Sequence, residues 1–213
     1  MDNDKIKSAP ISPISYGLYQ MEKSVTEELQ LYCEELLNDP YRVKRKCNKM
    51  TNSHVELQFS ATKEISSIVV NCAKQMAENI FDKLPSDLEW IDTPAWINYL
   101  KKHEFIAPTE LYGNDLAFFC IVKVPFDIHA EMALPHIREA INPHAAKHSL
   151  FYADPLGKVS TREFVFNKED EGVMVLYPSN LMYTLSPFYT SDDHYIVIQG
   201  SLVIDTIKEE ELE

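Results

Sequence analysis

The sequence predicts an α+β protein in which an antiparallel jelly-roll sandwich follows an N-terminal layer of helices. Three observations predict it. Apolar residues recur at helical spacing in two segments before residue 85. From Trp90 onward, short aromatic and β-branched runs alternate with turn signals, as in antiparallel sandwiches and unlike α/β sheets. With five glycines in 213 residues, the chain has no GxGxxG or Walker-type loop, so nucleotide binding through a glycine cradle is excluded.

The N-terminal part divides into an arm and the start of the helical layer. Residues 1–22 are expected to form an extended arm, because two prolines stand among serines and isoleucines. Residues 23–89 are expected to form the helical layer. Its first helix follows a capping-box pattern, Ser24 to Glu27, and should end before Pro40.

The second helix is the strongest helical signal in the chain. It is predicted from Thr62 to Leu84, after a candidate strand at 55–60 with the sequence VELQFS. A wide apolar stripe must be buried, so this helix should lie against a sheet. The stripe consists of Ile65, Ile68, Val69, Cys72, Met76 and Ile80.

Residues 90–207 are expected to form the β domain, and the charged residues 208–213 an acidic tail. Turn signals at 154–157, 168–172 and 191–193 separate the strand candidates. The predicted strands are Leu116–Val124, Ser149–Tyr152, Glu163–Phe166, Val173–Tyr177 and Tyr195–Ile204.

The charge pattern bears on partners. A net charge of −13 repels phosphate backbones, so nucleic acid is not expected as a partner. One basic segment stands out, with five cations in eight residues: Arg42, Lys44, Arg45, Lys46 and Lys49. It is either a solvated loop or a patch that docks an acidic protein surface. Protein partners, in a homo-oligomer or a larger assembly, are therefore the expectation.

Three features of the sequence bear on the cellular compartment: apolar runs, the N-terminus and the cysteines. No apolar run approaches the roughly 20 residues that a membrane helix needs, and the N-terminus is not a signal peptide. The four cysteines show no CxxC spacing, which favours neither disulfides nor a zinc site. We expect a soluble protein in the cytoplasm where it is made.

A series of short motifs follows in order from Trp96. Trp96-Ile-Asn98 precedes Glu104-Phe105, a strand ends at Val124-Pro125, and Tyr177-Pro178-Ser179 and Ser186-Pro187-Phe188 come later. This order resembles the 2-oxoglutarate/iron(II) oxygenase superfamily, in particular a branch frequent in phages and marine bacteria. The resemblance implies a double-stranded β-helix over residues 90–207, supported by the N-terminal helices. It also implies incorporation into a phage particle.

The resemblance fails at the metal-binding positions. It places the first two iron ligands on Thr109 and Leu111, the distal histidine on Tyr183, and the oxoglutarate-binding arginine on Tyr195. Non-haem iron of this kind is held by two imidazoles and a carboxylate. These positions are therefore expected to be vestigial, and the protein is expected to bind no metal or cofactor.

Three functions remain open. The first is a non-catalytic protein used for assembly or interaction, as a phage virion component of the head, neck or tail. The second is an active dioxygenase with atypical ligands. The third is a barrel that binds a small molecule among its tyrosines, Tyr112, Tyr177, Tyr183 and Tyr195.

The histidines offer one other metal hypothesis. On a helix, His144 and His148 would share a face and could bind a metal with Glu139 or Asp154, and His136 lies nearby in sequence. The polar composition of this segment favours an exposed loop or short helix between strands.

Overall fold

The computed structural model describes residues 6–11, 14–39, 57–80, 88–92, 95–110, 114–141, 143–154 and 157–206. In this part of the chain, two antiparallel sheets face each other, and two long helices pack on the outer face of the larger sheet. The predicted α+β class, with helices supporting a two-sheet sandwich, is confirmed.

The larger sheet has eight strands in the order β1-β2-β10-β7-β12-β5-β3, and β4 also pairs with β12. Its strands are β1 (Ile6–Ile11), β2 (Ile14–Gln20), β3 (Leu57–Ser60), β4 (Leu88–Asp92), β5 (Trp96–Leu100), β7 (Leu116–Lys123), β10 (Val173–Pro178) and β12 (Tyr195–Thr206).

The smaller sheet has four strands in the order β6-β11-β8-β9. They are β6 (Ile106–Thr109), β8 (Lys147–Ala153), β9 (Val159–Val165) and β11 (Met182–Leu185). Two short helices that the sequence did not predict, α3 (Ile128–Ala133) and α4 (Pro135–Arg138), connect β7 to β8.

The two long helices are α1 (Lys23–Asn38) and α2 (Lys63–Ile80). The predicted capping box is wrong: α1 begins at Lys23, and its N-cap residue, Glu22, makes no side-chain capping bond. The Thr26 hydroxyl instead donates to the Glu22 carbonyl at 3.2 Å. The predicted end of the second helix, at Leu84, lies outside the described residues.

The buried stripe of α2 differs slightly from the predicted one. Ile65, Val69 and Met76 are fully buried, whereas Ile68 and Cys72 are only partly buried at its flank. Ala73 completes the buried stripe, which therefore keeps the i, i+4 spacing of one helical face.

The extended arm pairs with its own chain. Strands β1 and β2 form a hairpin, and β2 pairs antiparallel with β10 from Gly17 to Gln20. Tyr16 and Tyr19 are both buried, one against each core cluster of the sandwich. Backbone pairing with β10 and burial of the two tyrosines together hold the arm on its own chain.

Strand β7 shows how the layers are built. Its sequence, LAFFCIVK, is buried almost throughout, because the strand is covered on both faces. Phe118 and Cys120 face the helices, whereas Phe119 and Ile121 face the smaller sheet. A second core therefore fills the space between the two sheets.

Several predictions fall on residues outside the described part. These are the basic segment 42–49, Leu111, Tyr112 and the acidic tail 208–213. Where the chain is described, no helix is long and apolar enough to span a membrane.

Candidate functional site

The space between the two sheets is filled by aromatic rings from five strands and from the connections beside them. Each strand of a pleated sheet turns alternate side chains into this space, and many of these side chains are aromatic. The rings belong to Phe119, Phe126, Phe164, Phe166, Tyr177, Tyr183, Phe188 and Tyr195, and they surround His148.

His148 is hydrogen-bonded at both ring nitrogens. Its Nδ1 lies 2.7 Å from the hydroxyl of Tyr183, and its Nε2 lies 2.6 Å from the hydroxyl of Tyr195. All three side chains are buried, and we call them the buried triad. A neutral imidazole has one N–H donor and one acceptor nitrogen, so one tyrosine donates to His148 and the other accepts from it.

Burial sets the protonation states of the triad. It lowers the pKa of His148 to about 3, because the imidazolium would lose its hydration. It also raises the pKa values of Tyr183 and Tyr195 well above the usual range. At neutral pH the triad is therefore one imidazole between two phenols, without net charge.

The imidazole ring is also held on its faces. The Phe119 ring stacks on His148 with centroids 4.7 Å apart and an interplanar angle of 21°. Phe166 meets the imidazole edge-on at 5.2 Å. Hydrogen bonds and ring contacts together fix the position of His148.

The sheet register brings together some of the positions predicted from the sequence. Thr109 in β6 lies opposite Tyr183 in β11, and Tyr183 in turn is joined to Tyr195 through His148. Thr109 is partly buried and makes no side-chain bond to the triad. Leu111 lies outside the described residues.

The histidine hypothesis was wrong about the local structure. His148 lies in strand β8, not in an exposed loop or helix, and His144 is exposed in the segment before that strand. His136 is exposed in α4, where its ring contacts Tyr189. In the described ranges, no three His, Cys, Asp or Glu side chains gather as a metal site.

A second buried polar group holds the segment after β11. The Glu131 carboxylate, on α3, is fully buried and accepts from the Tyr189 and Thr190 backbone amides at 2.9 and 2.7 Å. It also accepts from the Thr190 hydroxyl at 2.5 Å. Glu131 thus fixes the connection that leads to Tyr195, and no sequence pattern indicated it.

Solved structures with a similar fold identify this architecture. A prolyl-4-hydroxylase from Pseudomonas putida superimposes with a TM-score of 0.60 at 11% identity, over 91% of this chain and 95% of that one. This chain has the double-stranded β-helix fold. A viral collagen prolyl hydroxylase from Paramecium Bursaria Chlorella virus-1 gives 0.47 at 9% identity, over 90% and 96%. At such identities the likeness extends to the fold alone.

Sequence comparisons add no relative. No protein-family model matches the chain, and no curated protein does.

A third solved structure, of an oxidoreductase of the 2OG-Fe(II) oxygenase family from Burkholderia pseudomallei, gives a TM-score of 0.45 at 9% identity, over 93% of this chain and 72% of that one.

The side chains in the interior do not fit the iron site that this fold can carry. Such a site needs two imidazoles and a carboxylate with free lone pairs. Among the described residues, the space between the sheets holds one imidazole, that of His148, and both of its nitrogens are already bonded to tyrosines. The tyrosines are neutral phenols, which are poor metal ligands, and the buried carboxylate of Glu131 is occupied by backbone amides.

Proposed function

We propose that this chain is a non-catalytic protein with a double-stranded β-helix fold that acts in assembly through protein–protein contacts. The buried triad is the observation that supports this. Tyr183 and Tyr195 stand at the positions where the sequence resemblance puts an iron-binding histidine and an oxoglutarate-binding arginine. Both use their hydroxyl groups to hold His148 instead.

The chemistry at these positions opposes cosubstrate binding. A bound oxoglutarate carboxylate requires a cation or several donors, because an unpaired buried charge is strongly unfavourable. Tyr195 supplies a neutral hydroxyl that is already bonded to His148. An iron ion would have to break a triad hydrogen bond to reach the imidazole.

The finer role is a structural protein of a phage particle. This part of the proposal is supported by the order of the sequence motifs, which resembles in particular a branch of the superfamily that is frequent in phages. The two sheets are complete and the space between them is filled by aromatic side chains, which agrees with a protein that binds partners through its surface.

An anaerobic binding assay tests the non-catalytic role. Iron(II) and 2-oxoglutarate are titrated into the purified chain by calorimetry, and succinate release is then measured in air, with an active prolyl hydroxylase as positive control. We expect no saturable binding and no succinate above background. Iron-dependent succinate release above background would overturn the proposal.

A further inference from the structure

The outer edge of the smaller sheet is open at β9. Within the described residues, β9 pairs with β8 alone, over seven residues and without a register shift. Its other side therefore presents backbone N–H and C=O groups that have no ladder partner. Exposed edges of this kind pair with other strands unless the sequence blocks them.

Each of the other described edge strands is shorter than β9 or contains a proline, and β4, which pairs with β12 alone, has five residues. Strand β6, at the opposite edge of the same sheet, has four residues and contains Pro108. Strand β1, at one edge of the larger sheet, contains Pro10, and β3, at the other, has only four residues. Strand β9 has neither a proline nor a bulge.

The charges in β9 are already satisfied within the chain. The Glu163 carboxylate accepts from Lys147 on β8 at 2.6 Å. The Arg162 guanidinium lies over the rings of Tyr16 and Phe164, at 5.3 and 5.5 Å from their centroids. Each of the two charged side chains therefore has a contact within its own chain.

The outward face of β9 is apolar at both ends. Val159 is 73% exposed and Val165 is 42% exposed, and both side chains lie on the outer face of the sheet. Met182 is exposed on the same face, beside the partly buried Phe151. The open backbone edge therefore continues into an apolar surface.

We propose that β9 pairs antiparallel with β9 of a second copy of this chain. A two-fold axis through Arg162 is the register that pairs all seven residues. It sets Val159 against the partner's Val165 twice, and Thr161 against the partner's Glu163. Arg162 lies opposite the partner's Arg162, and each guanidinium stays over the Tyr16 and Phe164 rings of its own chain. A shift of two residues leaves valines unpaired, and in one direction it sets Glu163 against the partner's Glu163, which is unfavourable.

The self-complementary strand is the reason for choosing a second copy over a different protein. One arginine and one glutamate make β9 neutral, although the whole chain carries a charge of −13. Two-fold dimers are also the commonest closed assemblies. The product would be one continuous eight-stranded sheet. This inference rests on the proposed role in assembly and names its contact.

A charge-swap experiment tests the pairing on the full chain. One double variant carries Val159→Lys and Val165→Lys, and the other carries Val159→Glu and Val165→Glu. In each homodimer like charges would face each other, so the dissociation constant should rise at least about tenfold. An equimolar mixture should recover a heterodimer, seen by native mass spectrometry and sedimentation.

The control variant is Leu31→Lys, on α1, where the side chain is 62% exposed. It should leave the wild-type dimer intact, and circular dichroism should show all variants folded, because each replaced side chain is partly or largely exposed. Amide hydrogen exchange should show β9 protected in the wild-type dimer and exposed in the double variants.

Three results would overturn the inference. They are a wild-type chain that sediments as a monomer throughout, an assembly that both double variants retain, and a mixture that forms no heterodimer. The iron assay is independent of these results. Succinate release would refute the non-catalytic role and would not affect the dimer. A monomeric wild-type chain would refute the β9 contact and would not affect the non-catalytic role.

Discussion

Replacing His148 should remove a defined part of the acid sensitivity of this protein. The imidazole has an ordinary pKa of 6.5, which it would regain in the unfolded chain, whereas burial lowers it to about 3 in the folded state. Between these values the unfolded chain binds a proton at this position and the folded chain does not. The free energy of unfolding therefore falls as the pH decreases from 6.5 towards 3.

The size of this contribution follows from the proton linkage. Each pH unit below 6.5 removes about 1.4 kcal/mol from the free energy of unfolding, so the loss at pH 5 is about 2 kcal/mol relative to pH 7. His148 is fully buried, so solvent screening does not reduce the effect. Well above pH 6.5, His148 is neutral in both the folded and the unfolded chain, and the free energy of unfolding is not reduced by its protonation.

Urea unfolding of the parent and of His148→Gln at pH 7 and pH 5 measures the effect. The variant should be less stable at pH 7, because two buried tyrosine hydroxyls lose their partner, and the gap should shrink by about 2 kcal/mol at pH 5. Tyr183→Phe is the control: it removes one triad hydrogen bond but keeps the imidazole, so its gap should stay constant. An equal gap for His148→Gln at both pH values, or an imidazole that titrates near 6.5 by NMR, would refute the reasoning.

Three further predictions concern stability. Glu131→Gln places an amide against backbone donors and should lower the free energy of unfolding by about 2 kcal/mol, whereas the exposed Glu139→Gln should change it little; equal urea midpoints would contradict this. Val69→Asp buries an unpaired charge and should lower the melting temperature far more than Ile68→Asp at the partly buried flank; the reverse order would mean that α2 packs differently. Gly200→Ala should destabilise by roughly 1–3 kcal/mol in urea, because its Cβ would overlap the Phe118 ring of β7; an unchanged midpoint would show that the ring can move.

The sequence predicted the elements whose apolar residues form a helical stripe or a dense β-branched and aromatic run. Helix α2 shows a stripe at helical spacing, and β7 and β12 are dense in β-branched and aromatic residues, so their positions are close to those predicted. The β1–β2 hairpin was missed because its order comes from pairing with β10, a contact that is distant in sequence.

The candidate site was predicted only in part. Tyr183 and Tyr195 were singled out from the motif order, but their common partner His148 was not. The spacing of His144 and His148 suggested a helix, and the predicted strand began two residues too late, at Ser149 instead of Lys147. The alternation of His148, Leu150 and Tyr152 was the signal that could have placed the imidazole on the inner face of β8.

The reciprocal bonding of the buried triad also constrains how this sequence can drift. Loss of any one member leaves polar atoms of the others buried without a partner, so single substitutions at 148, 183 or 195 are penalised. An arginine at 195 would bury a guanidinium beside a neutral imidazole. Each step towards a metal site thus passes through a destabilised intermediate. The three positions are expected to change as a set, whereas an apolar neighbour such as Ile121 can change alone.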